Sequence, residues 1–274
     1  MTNTGIDSGS TMWHAGCSMT FEATTTTPMV FMLRPRSGPG QWVAGESYRL
    51  SPSIEVVEYP DVFGNLCQRL VAPVGPFEIQ TTVDVLLNNA VRVDAGYQAF
   101  VEIPDLPDSV LTYLLPSRYC ESDRFGDMAI DIVGNSNPGY DQVLAITTWV
   151  RNNIANVPLS STYPVSAIEI NQRREGVCRD LAQISIALCR ALCIPARLVV
   201  GYLEGLQPMD IHAWFEAYIG HQWCTFDPSV SPDNTSARIS IAQGRDATDV
   251  AIYNQFGPLL LPLDMRVWVE KDVS

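Results

Sequence analysis

Apolar and polar positions alternate along this chain with two different periods, and the change falls near its middle. From about residue 18 to 115 the period is two. Residues 77–85 put Phe77, Ile79, Thr81, Val83 and Val85 on one face and polar side chains on the other, as a strand with one buried side requires. Residues 53–59 and 67–72 read the same way. Pro60-Asp61-Val62-Phe63-Gly64-Asn65 supplies turn chemistry between them. Short strands with Pro and Gly punctuation predict an all-β unit over residues 1–125, of the sandwich type. Residues 1–12 are polar and rich in Gly, Ser and Thr, as a frayed terminus would be. Residues 115–138, with Pro116, Gly126, Gly134 and Pro138, read as a linker.

Beyond the linker the period becomes helical, and residues 126–274 form the second unit. Val143, Ile146, Val150 and Ile154 share one face of a helix over about 140–154. Ser166 and Glu169 fit a capping box that opens a short helix, with Gly176 closing it. A second amphipathic helix spans 178–193, its buried stripe Leu181, Ile184, Leu188 and Leu192, and Pro195 stops it. Residues 196–203, 212–219 and 222–226 read as strands. Gly220-His221 joins the last two as a Gly-first pair suited to a type II′ hairpin.

Composition narrows the function. The 274 residues carry 17 basic and 30 acidic side chains, a formal charge of −13. A surface that neutralises phosphates needs clustered Lys and Arg, so nucleic acid is excluded as a partner. No apolar run reaches the length of a membrane span, so no membrane partner is expected. The first ten residues lack the basic and apolar regions of a secretory leader. Cysteines number seven, an odd count in a chain too long to need disulfide staples. They read as reduced thiols in a cytoplasmic protein.

Position separates these cysteines. Cys178, in Gly176-Val177-Cys178-Arg179-Asp180, stands at a helix start, where unpaired N–H groups and the positive end of the dipole stabilise a thiolate. Cys17, Cys67, Cys120, Cys189, Cys193 and Cys224 read as small packing residues. A zinc site from Cys178, Cys189, Cys193 and Cys224 fails on distance, because Cys178 lies about 16 Å along the helix axis from Cys189. No metal or cofactor is implied.

A thiolate catalyst needs a proton acceptor, and there are three histidines: His14, His212 and His221. His14 lies in the β unit and His221 in a turn, whereas His212 opens a strand in the same unit as Cys178. With a two-residue loop, Ile219 pairs with Gln222 and Trp214 faces Asp227. His212 is then the diagonal neighbour of Asp227 on the same face, about 7–8 Å away between backbones. Asp227 can hold the imidazole while its other nitrogen meets Cys178.

These segments also carry a family resemblance. Residues 176–182 (GVCRDLA), Ile194-Pro195-Ala196-Arg197, residues 212–218 (HAWFEAY) and Phe226-Asp227-Pro228 resemble the bacterial transglutaminase-like family. The likeness runs over about 138–250 and includes residues 244–250. It implies an α+β protein: an N-terminal β-sandwich followed by a papain-like transglutaminase core, with Cys178 as nucleophile, His212 as base and Asp227 as its orienting partner. One departure is Gln183, where family members often carry a histidine. The implied reaction is hydrolysis of a peptide or protein amide through a thioester. Protein-glutamine transglutamination and deamidation use the same groups, and a non-catalytic interaction module is the alternative of another class. Ser161, Tyr163 and Gln172 are equal candidates for a second oxyanion donor beside the Cys178 backbone N–H. Oligomeric state is not readable from the sequence.

Overall fold

The computed structural model describes residues 10–88, 98–161 and 163–272. The alternation in the first half becomes two four-stranded antiparallel sheets. β6 (Gly75–Asn88) buries Phe77, Ile79, Thr81, Val83 and Val85. It pairs with β1 (Ser10–Ala23) on one side and β3 (Gln41–Ser51) on the other. In the second sheet β2 (Thr27–Phe31) pairs with β5 (Leu66–Ala72), and β5 with β4 (Val57–Pro60). Of the strand expected over 53–59, only the part from Val57 onward is strand. Strand β1 already includes Thr11 and Met12, which the sequence assigned to a frayed end.

The remaining strand of each sheet comes from the far end of the chain. β13 (Tyr253–Gln255) pairs with β2, and β14 (Asp264–Lys271) pairs with β1. The sequence division placed both in the second unit. Met265, Val267 and Val269 pack on the core with a period of two, which suits a sheet edge and no helix. The two sheets meet through aromatic rings: Phe21 lies edge-on to Phe31 at 6.0 Å and to Tyr253 at 5.6 Å, and stacks with Phe77 at 6.1 Å.

The second unit is built on one helix and one sheet. Strands β9 (Ala196–Leu203), β10 (His212–Ile219), β11 (Gln222–Phe226) and β12 (Arg238–Gly244) form an antiparallel sheet in the order β11-β10-β9-β12. Ala213, Phe215, Ala217 and Ile219 of β10 join the apolar core, to which α5 (Cys178–Ala191) contributes from its place against β10 and β9. Helices α2 (Gly126–Val133), α3 (Tyr140–Asn153) and α4 (Ala167–Arg173) pack around α5; α1 (Asp108–Leu111) is a single turn.

Helix α5 is amphipathic in sequence, as expected, but it is enclosed on its polar side as well. Every residue from Asp180 to Arg190 is buried, and the polar ones are satisfied by hydrogen bonds, as burial requires. Arg190 donates to the carbonyls of Leu115, Ala196 and Arg245. Gln183 donates to Val165 O and accepts from Ala247 N–H. Nor are residues 115–138 a linker: Cys120, Phe125, Ala129 and Val133 are buried, and the Cys120 thiol donates to Gln183 O at 3.3 Å. Gly126 opens α2, and Gly134 and Pro138 mark turns on a packed surface.

Two local expectations change. Helix α4 starts at Ser166, whose hydroxyl accepts the Glu169 N–H, but it ends at left-handed Arg174 and not at Gly176. Gly176 instead belongs to a parallel bridge between β7 (Ala155–Asn156) and β8 (Glu175–Gly176). The β10–β11 hairpin keeps its two-residue loop, with Ile219 opposite Gln222. Gly220 and His221 both have positive φ, +56° and +62°, the type I′ form and not II′.

Candidate active site

The start of α5 is held by its own sequence. Val177 is extended and its N–H donates to the Asp180 carboxylate at 3.1 Å. Asp180 is fully buried, and it also takes the Arg179 Nε–H at 3.1 Å and the Ser161 hydroxyl. Arg179 donates onward to the Ser161 hydroxyl and to Tyr163 O. Asp180 therefore ties the helix start to the segment entering from β7. Asn156 completes the frame by donating to Ser229 O at 3.3 Å. Cys178, the first residue of the helix, is half-buried within it. An Asp180→Ala variant would leave Arg179 and the Val177 N–H without their buried acceptor. We expect it to lose about 3 kcal/mol of stability in urea unfolding.

His212 opens β10 and Asp227 follows β11 directly, one residue beyond the last ladder pair, Phe215 opposite Phe226. The expected Trp214–Asp227 pairing is therefore not formed, although the His212 and Asp227 side chains meet. His212 is 3% exposed and Asp227 7%. A carboxylate oxygen accepts only, so imidazole Nε2–H donates to Asp227 Oδ2, at 2.8 Å. That leaves Nδ1 as the ring nitrogen not taken by Asp227, and Cys178 lies close enough to His212 to raise the proton affinity of the ring. Trp214 stacks on the imidazole at 6.3 Å between centroids. Cys178, His212 and Asp227, predicted from separate segments, meet at one place.

Electrostatics favour a charged ring. Burial alone would depress the His212 proton affinity, but the hydrogen bonds to Asp227 and Cys178 outweigh it and push the pKa up to about 9. Burial likewise works to raise Asp227. The hydrogen bond and charge of His212, then Ser229 and Arg238, hold its carboxyl below the usual value. Asp210, two residues before His212, is a second carboxylate that feels the ring. Burial raises it, against the Ile211 N–H and the His212 charge.

The sequence did not single out Ser229 or Arg238. Ser229 donates to Asp227 Oδ1 twice, through its N–H at 3.0 Å and its hydroxyl at 2.6 Å. This is an Asx-type turn that Asp227-Pro228-Ser229 could have signalled. Arg238 donates to Oδ2 from the far edge of the sheet, and no local pattern points to it. Among the candidate oxyanion donors, the Ser161 hydroxyl is committed to Asp180, while Tyr163 and Gln172 are exposed.

Five of the six cysteines expected as packing residues are buried: Cys17, Cys67, Cys120, Cys189 and Cys224. Burial pushes Cys17, Cys120 and Cys224 up to about 12. Cys193 differs from the expectation. It is exposed, with φ +60°, just past the end of α5.

Comparison with known proteins places this geometry. Residues 126–228, which contain Cys178, His212 and Asp227, match the transglutaminase-like superfamily. Residues 22–86 match the bacterial transglutaminase-like N-terminal region. A crystal structure described as that of a candidate cysteine protease from Cytophaga hutchinsonii is 33% identical. It aligns over 97% of this chain and 93% of its own, with a TM-score of 0.88. An uncharacterised Mycobacterium leprae protein is 26% identical over 232 residues, 80% of this chain and 82% of its own length. An uncharacterised Mycobacterium tuberculosis protein is 31% identical over 105 residues, 33% of each chain. With an N-terminal sandwich, an enclosed cysteine-bearing helix and a histidine-bearing sheet matched along nearly its whole length, the chain belongs to the bacterial transglutaminase-like superfamily.

Proposed function

We propose that this protein is a cysteine-dependent amide or peptide hydrolase that works through a thioester. The observation that carries the reading is the buried His212–Asp227 hydrogen bond at 2.8 Å, with Cys178 near enough to the ring to raise its proton affinity. A cysteine at a helix start beside a charged imidazole is the arrangement that generates a nucleophilic thiolate.

In the proposed cycle the Cys178 sulfur attacks the amide carbonyl carbon and its electron pair moves onto the oxygen. The Cys178 backbone N–H is one donor to that oxyanion. As the C–N bond breaks, the His212 imidazolium gives its Nδ1 proton to the departing nitrogen, leaving a thioester and a neutral ring. Water then attacks the thioester. His212 takes the water's proton, the acid leaves, and the thiolate–imidazolium pair is restored. Asp227 holds the ring in one tautomer throughout. An amine in place of water would give a cross-link, and a glutamine side chain as substrate would give deamidation.

The seven cysteines, free in the structure, fit a chain that works in the reducing cytoplasm. No helix is long and apolar enough to cross a membrane among the described residues. The acidic composition agrees with a peptide or protein substrate and not a nucleic acid.

The test is to profile the purified protein against a peptide and amide library, scoring new amino termini, released ammonia and incorporated amine separately. New amino termini or amide hydrolysis, lost in Cys178→Ala, support the hydrolase. Amine incorporation, or ammonia from glutamine alone, transfers the same chemistry to transglutamination or deamidation. No turnover of any kind would favour an interaction module.

A further inference from the structure

We propose that Arg238 is a positioning residue of this site, weakening the hold of Asp227 on the imidazolium proton so that His212 can release it; this rests on the catalytic reading above. The Asp227 carboxylate is fully committed. Oδ1 accepts from Ser229 N–H and hydroxyl at 3.0 and 2.6 Å. Oδ2 accepts from His212 at 2.8 Å and from Arg238 Nη2 at 3.3 Å. Two positive groups therefore share one oxygen. Arg151 holds the same residue by its backbone, donating to Asp227 O at 2.9 Å.

Arg238 reaches this oxygen across the sheet. It starts β12, opposite Leu203 of β9, whereas His212 lies opposite Gly201 on the other side of β9. Gly201 sits between β10 and β12, opposite both His212 and Ser240. A Cβ there would meet Trp214 Cη2 at 2.8 Å and Ile239 O at 2.1 Å. Glycine leaves room for Trp214 beside the imidazole and keeps the strands close. The Arg238 side chain is 19% exposed at its ion pair. Among the described residues its Nε–H has no partner, and its Nη1 reaches only Ser236 O, at 3.4 Å. Its one ion pair among the described residues is with Asp227, so the arginine is not explained by its own hydrogen bonding.

The physical consequence has a definite sign. Asp227 alone would stabilise the imidazolium in full and make it a poor proton donor to a leaving nitrogen. A fixed guanidinium on the same oxygen offsets part of that field and repels the ring charge. The groups that face His212 are Asp227 and Ser229 beyond β11, Cys178 on α5, Asp210 before β10, and Arg238 through Asp227. Removing Arg238 must raise the His212 proton affinity, whereas a purely structural arginine would change stability and leave the ring where it was.

The measurement is NMR titration of the histidine rings in the full chain, made feasible by there being only three. Working in the Cys178→Ala background removes the thiolate from the comparison. Arg238→Gln is expected to move the His212 midpoint upward by about half a unit to one unit. Arg238→Lys should fall between it and the parent. In the chain with Cys178 present, Arg238→Gln should also carry the high-pH limb of iodoacetamide alkylation upward. An unchanged or lowered midpoint in Arg238→Gln overturns the proposal. If that variant does not fold, Arg238→Lys decides: a midpoint above the parent supports the proposal, and one at or below it overturns it. The catalytic reading fails separately, if restoring Cys178 to the parent does not move His212 at all.

Discussion

Replacing Cys178 by Ala is expected to abolish amide turnover, with a loss of at least ~10⁴-fold, and to leave the unfolding transition in place. The side chain is half-buried at a helix start held by Asp180, Ser161 and Arg179. Removing one sulfur there leaves every hydrogen bond of that frame intact. The labelling counterpart is sharper because Cys193 is an internal control. It is also accessible, yet lies about 20 Å away along α5 with the length of the helix between it and His212. Iodoacetamide at pH 6 should modify Cys178 far faster than Cys193, and the five buried thiols not at all. Equal rates at Cys178 and Cys193 would count against an activated thiolate.

Asp227→Asn is expected to cost ~10³–10⁴-fold in turnover with little change in shape. The reason lies in how the carboxylate is used. Oδ1 must accept from both the N–H and the hydroxyl of Ser229, so the asparagine oxygen takes that side. The NH2 group then faces His212 Nε2 and Arg238, both of which donate in the native protein. His212 escapes the clash of donors by moving its proton to Nδ1, where it meets Cys178 and can no longer accept the thiol proton. The pH dependence of stability should change too. The His212 pKa is about 9 in the folded chain against 6.5 for a free imidazole. Its contribution is therefore fully present below about pH 6.5 and is lost as pH rises through about 9. Asp227→Asn should flatten this loss in urea titrations at pH 6 and pH 9. A slope as steep as in the parent would mean that His212 does not owe its charge to Asp227.

What was legible in the sequence was local pattern combined with register. Residues 196–203, 212–219 and 222–226 are strands at the expected bounds. Because a strand has a period of two, knowing that Ile219 faces Gln222 was enough to put His212 beside Asp227. The sandwich followed from the same alternation, and the enclosing family from four short segments. The hairpin type was missed because a Gly-first pair permits either mirror-image turn, and His221 accepts a left-handed φ. The enclosure of α5 was missed because buried Asp180, Gln183, Ser185 and Arg190 look like an exposed face until their partners, far away in sequence, are in place. Ser185, for example, turns its hydroxyl back to Leu181 O at 2.9 Å. The return of β13 and β14 to the N-terminal sheets is a pairing across more than 200 residues, with no local signature. Arg238 escaped for the same reason: its contact with Asp227 exists only once β12 has been laid down against β9.

The claim that Cys178 forms a thioester can be tested without knowing the natural substrate. Mixing the protein with p-nitrophenyl acetate and following nitrophenolate release by stopped flow should give a burst equal to one equivalent of enzyme. Intact-mass and peptide analysis of the quenched reaction should place one hydroxylamine-labile acetyl group on Cys178, with the burst absent in Cys178→Ala. A burst that survives in Cys178→Ala, or an acetyl group found on any other residue, would contradict the account.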